Sequence, residues 1–136
     1  MIIRISENNI YQLYDNEVFV FGSNRAGIHG AGAAKQAYFM FGAEYGKGEG
    51  LHGQSYALPT KDYDIGHLSM HEICDHVHRF IDFAEQNPQL DFLVTEIGCG
   101  LAGHKVEDIA PMFQRALELE NVFLPRRFTK VLTQLL

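Results

Sequence analysis

Apolar residues follow two rhythms along this chain. Glu17 to Gly22 and Asp91 to Ile97 are short, nearly unbroken apolar runs, rich in β-branched and aromatic residues, as expected of strands covered on both faces. Ile2 to Ile5, Gln54 to Leu58 and Val122 to Leu124 read as shorter strands, the second ending at Pro59-Thr60-Lys61-Asp62. The other rhythm is helical. Ile73, Val77, Phe80, Ile81 and Ala84 recur at helix spacing behind Ser69-Met70-His71-Glu72, a Ser-x-x-Glu capping box, and Asn87-Pro88 stops the run. Ile109, Met112, Phe113, Ala116 and Leu117 predict another helix, with Pro111 in its first turn, where a missing donor costs little. Gly30 to Phe41 and Phe128 to Leu136 complete the helices, and Asn8 to Tyr14 reads as a helical turn. Gly42 to Gly53 holds five of the 13 glycines and reads as a mobile loop, with Glu49 placed where such a loop could fold over a ligand or simply lie at the surface. Strands alternating with helices predict one α/β domain over residues 1–136, with a largely parallel central sheet.

Composition narrows the function. At 136 residues, 46% hydrophobic and 21% charged, the chain is an ordinary globular domain with room for one core. A formal charge of −6 argues against a nucleic-acid groove, which needs a basic face, but not against a nucleotide held by uncharged backbone amides. The two cysteines, Cys74 and Cys99, fall on different elements, and a chain of this size does not need a disulfide. The N-terminal segment lacks a basic lead-in and a long apolar run, and no stretch approaches a membrane span, so a cytoplasmic protein with no membrane partner is the expectation.

The candidate chemistry lies in two glycine loops. Val18 to Gly22 runs into Ser23-Asn24-Arg25-Ala26-Gly27-Ile28-His29-Gly30-Ala31-Gly32-Ala33-Ala34, and Phe92 to Ile97 runs into Gly98-Cys99-Gly100-Leu101-Ala102-Gly103-His104. A strand, a glycine loop and a helix start aim backbone N–H groups at an anion. Asn24, Lys61 and the second loop each follow a strand at its carboxyl end, where α/β sheets place their ligands. Each residue also has a plainer reading. Lys61 reads as a solvated turn lysine beside Asp62, and His29 as an exposed loop residue. Cys99 with His104 has the form of a nucleophile and base, but a cysteine between glycines at a strand end is more simply a small apolar residue. His71, Cys74 and His78 share one helix face; with no fourth ligand, chance clustering outweighs a zinc site, and no metal or cofactor is expected. Tyr38, Phe39, Phe41 and Tyr45 read as packing for the first helix, with one of them or Phe123 available to stack on a base.

Gly22-Ser23-Asn24, His29 to Ala34, Leu58-Pro59-Thr60-Lys61 and Glu96 to Gly103, in that order, resemble the macrodomain superfamily, nearest to its terminal ADP-ribose glycohydrolase-like branch. The whole chain also resembles a small macrodomain-like family of phages and prophages. The resemblance covers about Val18 to Ala116. It implies a three-layer α/β/α sandwich with a mixed, largely parallel sheet and an ADP-ribose site. Gly22, Ser23, His29, Gly30, Ala31, Gly32 and Ala33 would hold the diphosphate and distal ribose. Thr60, Gly98, Cys99, Gly100, Leu101, Ala102, Gly103 and His104 would close from the other side. Asn24 would face the distal ribose, and Lys61 matches a lysine that attacks the ribose anomeric carbon. Both would carry catalysis in an ADP-ribosyl hydrolase. Two departures favour binding over catalysis: Ala102 stands where that branch has an aspartate, and Ser6-Glu7-Asn8 stands where an acid meets adenine. A structural or interaction protein that keeps the fold without the ligand is the alternative.

Overall fold

The computed structural model describes residues 2–136. Its strands are β1 (Ile5–Ser6), β2 (Glu17–Asn24), β3 (Gly50–His52), β4 (Ser55–Lys61), β5 (Asp91–Val94) and β6 (Val122–Pro125). The helices are α1 (Gly32–Met40), α2 (Met70–Gln86), α3 (Val106–Ile109) and α4 (Arg126–Gln134), with a 3-10 helix over Ala110–Glu118. The strands form one six-stranded sheet in the order β1-β6-β5-β2-β4-β3, and every pairing is parallel except β3 with β4. The chain therefore has a mixed α/β fold.

Alternation along β2 explains how the sheet is covered. Val18 and Val20 point into the larger apolar cluster, with Ile73, Val77, Phe80 and Ile81 of α2, Phe113 of the 3-10 helix and Phe128 of α4. Phe19 and Phe21 point into a second cluster with Ala34, Ala37 and Phe41 from α1 and its end, and with Ile10. Both faces of β2 are thus dry, as its unbroken apolar sequence requires. The Ser69–Glu72 capping box starts α2: Ser69 Oγ accepts from the Glu72 N–H at 3.1 Å, and Glu72 Oε1 accepts from the Ser69 N–H at 3.0 Å.

Several elements depart from the sequence reading. Asn8 to Tyr14 forms no helical turn; Ile10 inserts into the α1 cluster, and Gln36 Nε2 donates to its carbonyl. The α-helix expected around Pro111 is only four residues long before it tightens into the 3-10 helix. Ala110, Phe113 and Ala116, spaced by three, are buried, which matches a three-residue turn. β4 runs past Leu58 through Pro59 to Lys61, because β3 pairs only as far as Ala57 and leaves that side of Pro59 without a ladder to break. The Gly42 to Gly53 stretch contains β3 and is pinned. Ser23 Oγ donates to the Gly48 carbonyl, and Glu49 holds His76 Nδ1 at 2.7 Å and Arg79 Nε at 3.2 Å on α2. It packs beneath the first glycine loop and is no lid.

Candidate functional site

The carboxyl ends of β2, β4 and β5 surround one cleft of ≈ 470 Å³. Sheet order dictates this: β2 lies between β4 and β5, so the loops leaving the three strands emerge side by side. From β2 the cleft takes Gly22, Ser23, Asn24 and Ile28, then Gly30 to Ala34 leading into α1. From β4 it takes Thr60, Lys61 and Ile65, and from β5 Thr95, Glu96, Gly98 and Gly100 to Ala102.

The two glycine loops touch. A Cβ on Gly22 would stand 3.4 Å from the Gly98 nitrogen, and one on Gly32 would stand 3.2 Å from Leu101 Cδ1. Gly32 at φ 59° and Gly98 at φ 74° also use the left-handed backbone that glycine adopts freely. Among the described residues, the backbone N–H groups of Gly30, Ala31, Gly32, Ala33 and Ala34 find no acceptor inside the protein, and neither do those of Gly98, Gly100, Leu101 and Ala102. The first set opens α1, whose N-cap Ala31 offers no side-chain oxygen. In the second loop the Cys99, Gly103 and His104 N–H groups are used to close the turn, donating to Glu96, Gly100 and Gly98 carbonyls. Nine residues whose amides find no acceptor inside the protein, drawn from two segments, therefore line one cleft, the first five at the start of α1 and the positive end of its dipole.

The side chains sort into cleft and scaffold. Asn24, 9% exposed, closes its own loop: its Nδ2 donates to the Ile28 carbonyl at 2.8 Å and its Oδ1 accepts from the Ile28 N–H at 2.9 Å. Thr60 Oγ1 donates to the Ser23 carbonyl at 3.3 Å. Lys61 lies opposite Asn24 across a register shift, and its carbonyl accepts from Arg25 N–H at 2.9 Å. Arg25 turns toward α2, where Glu72 lies at 3.3 Å, with Asp62 at 3.4 Å. Bonding within the Ser69 capping box, then Arg25, holds the Glu72 carboxyl below its usual range.

Four residues expected at the ligand lie elsewhere. His29 is 1% exposed. Its Nε2–H donates to the Glu44 carbonyl at 2.8 Å, and its ring packs edge-on to Phe21 at 5.4 Å, so it buttresses the loop from behind. Cys99 points into the large apolar cluster, its Sγ 3.4 Å from the Ile97 carbonyl; burial, then the nearby Glu96 carboxylate, pushes its thiol up to about 11. That is the wrong direction for a nucleophile. Gly103 and His104 close the loop's far side, with the His104 ring 5.5 Å from that of His67. The aromatic residues weighed for a base are likewise off the cleft: Phe41 is core, and Tyr38 stacks edge-on to Tyr45 at 4.5 Å. Among the described residues, no three of His, Cys, Asp and Glu converge as a metal site requires.

Ile28, Ile65, Thr95 and Glu96 line the cleft without having been singled out as site residues. Thr95 and Glu96 lay inside the strand expected over Asp91 to Ile97; β5 ends at Val94, which frees both for the cleft. Arg127 Nε and Nη2 each donate to Glu96 at 2.7 Å, and this bidentate pairing holds the Glu96 carboxyl below its usual range. Farther along the same rim, Ser6, Glu7, Asn8 and Arg126 line a smaller hollow of ≈ 190 Å³ at the ends of β1 and β6. No helix is long and apolar enough to cross a membrane among the described residues. No protein-family model, curated protein or solved structure matches the chain.

Proposed function

We propose that this protein binds ADP-ribose or a closely related nucleotide, with the diphosphate held between the two glycine loops of a three-layer, macrodomain-like sandwich. The observation that carries the reading is that nine residues with unpaired backbone amides, from two loops, line one cleft. Such donors suit an anion and carry no formal charge, which fits a chain of net charge −6. The resemblance of the motif order to that of macrodomains favours ADP-ribose among such ligands.

Isothermal titration calorimetry with ADP-ribose tests the reading. Saturable heat at micromolar to millimolar ligand supports it, and no heat at millimolar ligand rejects it in favour of an interaction protein that keeps the fold. Hydrolysis of ADP-ribosyl linkages is the second reading, favoured by the position of Lys61 in the cleft wall. An amine nucleophile would attack the ribose anomeric carbon, displacing the linked group, and water would then release the sugar. ADP-ribosylated protein treated with wild type and with Lys61→Ala separates the two. Turnover abolished in the variant supports the covalent route; equal turnover removes it.

A further inference from the structure

Ile65 is the only non-glycine residue with positive φ, at 67°, among the described residues. A β-branched side chain there is a genuine outlier, because its Cβ crowds the backbone. The turn that holds it is tightly determined. Asp62 N–H donates to the Gly66 carbonyl at 2.7 Å, Ile65 N–H to the Asp62 carbonyl at 3.0 Å, and Leu68 N–H to the Thr60 carbonyl at 3.3 Å. Lys61 and His67 form an antiparallel bridge at its base, and Leu68, 4% exposed, anchors it in the core. The glycine of this turn, Gly66, stands one position after the strained one.

Packing does not explain the strain, since Ile65 is 50% exposed. What the conformation achieves is to put an aliphatic side chain into the cleft wall. Ile28 and Leu101, 46% and 73% exposed, also stand in that wall. The loops after β2, β4 and β5 therefore each contribute one solvent-facing aliphatic residue to the cleft that the unpaired-amide residues line. An inorganic anion has no use for such residues. Strain held by over-determined surroundings is a feature of ligand clamps.

We propose that Ile65 is a specificity-determining residue, held in a left-handed conformation to cover the organic part of a bound phosphate compound, so that with Ile28 and Leu101 it makes the cleft select organic diphosphates over inorganic ones. This rests on the nucleotide reading above. The test uses Ile65→Asn, because asparagine tolerates left-handed backbone and removes the aliphatic surface. Wild type and variant are titrated with ADP-ribose and with inorganic pyrophosphate, and their Tm values are compared. The variant is expected to melt about 3 °C higher through relief of strain. Its ADP-ribose affinity should fall about tenfold, the loss expected from exposing part of an aliphatic contact, while its pyrophosphate affinity stays within about twofold of wild type. ADP-ribose binding equal in the two proteins overturns the Ile65 proposal and leaves the nucleotide reading standing. A lower Tm in the variant also overturns it, because the conformation would then serve packing. A wild type that binds no ADP-ribose removes both.

Discussion

Asn24→Ala separates a positioning role from a purely chemical one. The Asn24 carboxamide bonds both backbone groups of Ile28, at 2.8 and 2.9 Å, and so staples the turn that carries the first amide loop. Each such bond contributes about 1 kcal/mol net, and Ile28 is partly open to water that can replace them, so the loss comes to about 1–2 kcal/mol. With an unfolding entropy of about 2.1 cal/mol/K per residue, that lowers the Tm of this chain by roughly 4–7 °C. Differential scanning calorimetry measures it directly. Asn24→Asp sharpens the comparison. It keeps the acceptor for Ile28 N–H but sets a carboxylate oxygen against the Ile28 carbonyl and places a charge in the proposed anion cleft. It should therefore cost more ADP-ribose affinity than the alanine variant, at least about tenfold. A Tm within 1 °C of wild type for Asn24→Ala would refute the staple. Asp and Ala variants with equal affinity would refute the anion cleft.

Gly48→Ala should destabilise the fold by about 1–3 kcal/mol, seen as a lower urea midpoint, because its Cβ would lie 2.3 Å from the Asn24 carbonyl oxygen, a backbone atom with nowhere to go. Gly30→Ala, with nothing within 4 Å, is the matched control and should unfold at the wild-type midpoint. Arg127→Ala should expose the pH signature of Glu96. Its carboxyl sits below its unfolded-state value, so the pairing stabilises the fold fully above about pH 4.3 and is lost as pH falls through the lower folded value. The stability difference between wild type and variant should thus be full at pH 7 and close on acidification; a gap unchanged at pH 3 would contradict it. Iodoacetamide at pH 8 should modify Cys99 slowly in the folded protein, as a thiol raised to about 11 requires, and Cys99→Ala should keep wild-type ligand affinity.

The four inner strands, the α2 capping box and the placing of glycine loops at strand ends were legible because each depends on local pattern; at the sheet edges, β1 is Ile5–Ser6 rather than Ile2 to Ile5, and β3 lay unseen in a glycine-rich stretch. The rest depended on tertiary partners. Ala110, Phe113 and Ala116 carry a period of three, but Ile109, Met112 and Leu117 fill in around them and disguise it as an α-helical stripe. The Gly42 to Gly53 stretch looked mobile because nothing local holds it; Ser23, His76 and Arg79, distant in sequence, do. His29 shares a loop with the amides, yet Phe21 and Glu44 draw its ring to the opposite side. Ile65 gave no signal in the chain, since its left-handed backbone is set by bonds spanning Thr60 to Leu68.

In the proposed complex, amides from two loops meet one diphosphate. A ¹H–¹⁵N correlation spectrum recorded through a titration with ADP-ribose tests it residue by residue. The largest amide shifts should fall in both Gly30–Ala34 and Gly98–Ala102, saturating together with one dissociation constant. Shifts confined to one loop, or centred elsewhere on the surface, would contradict it.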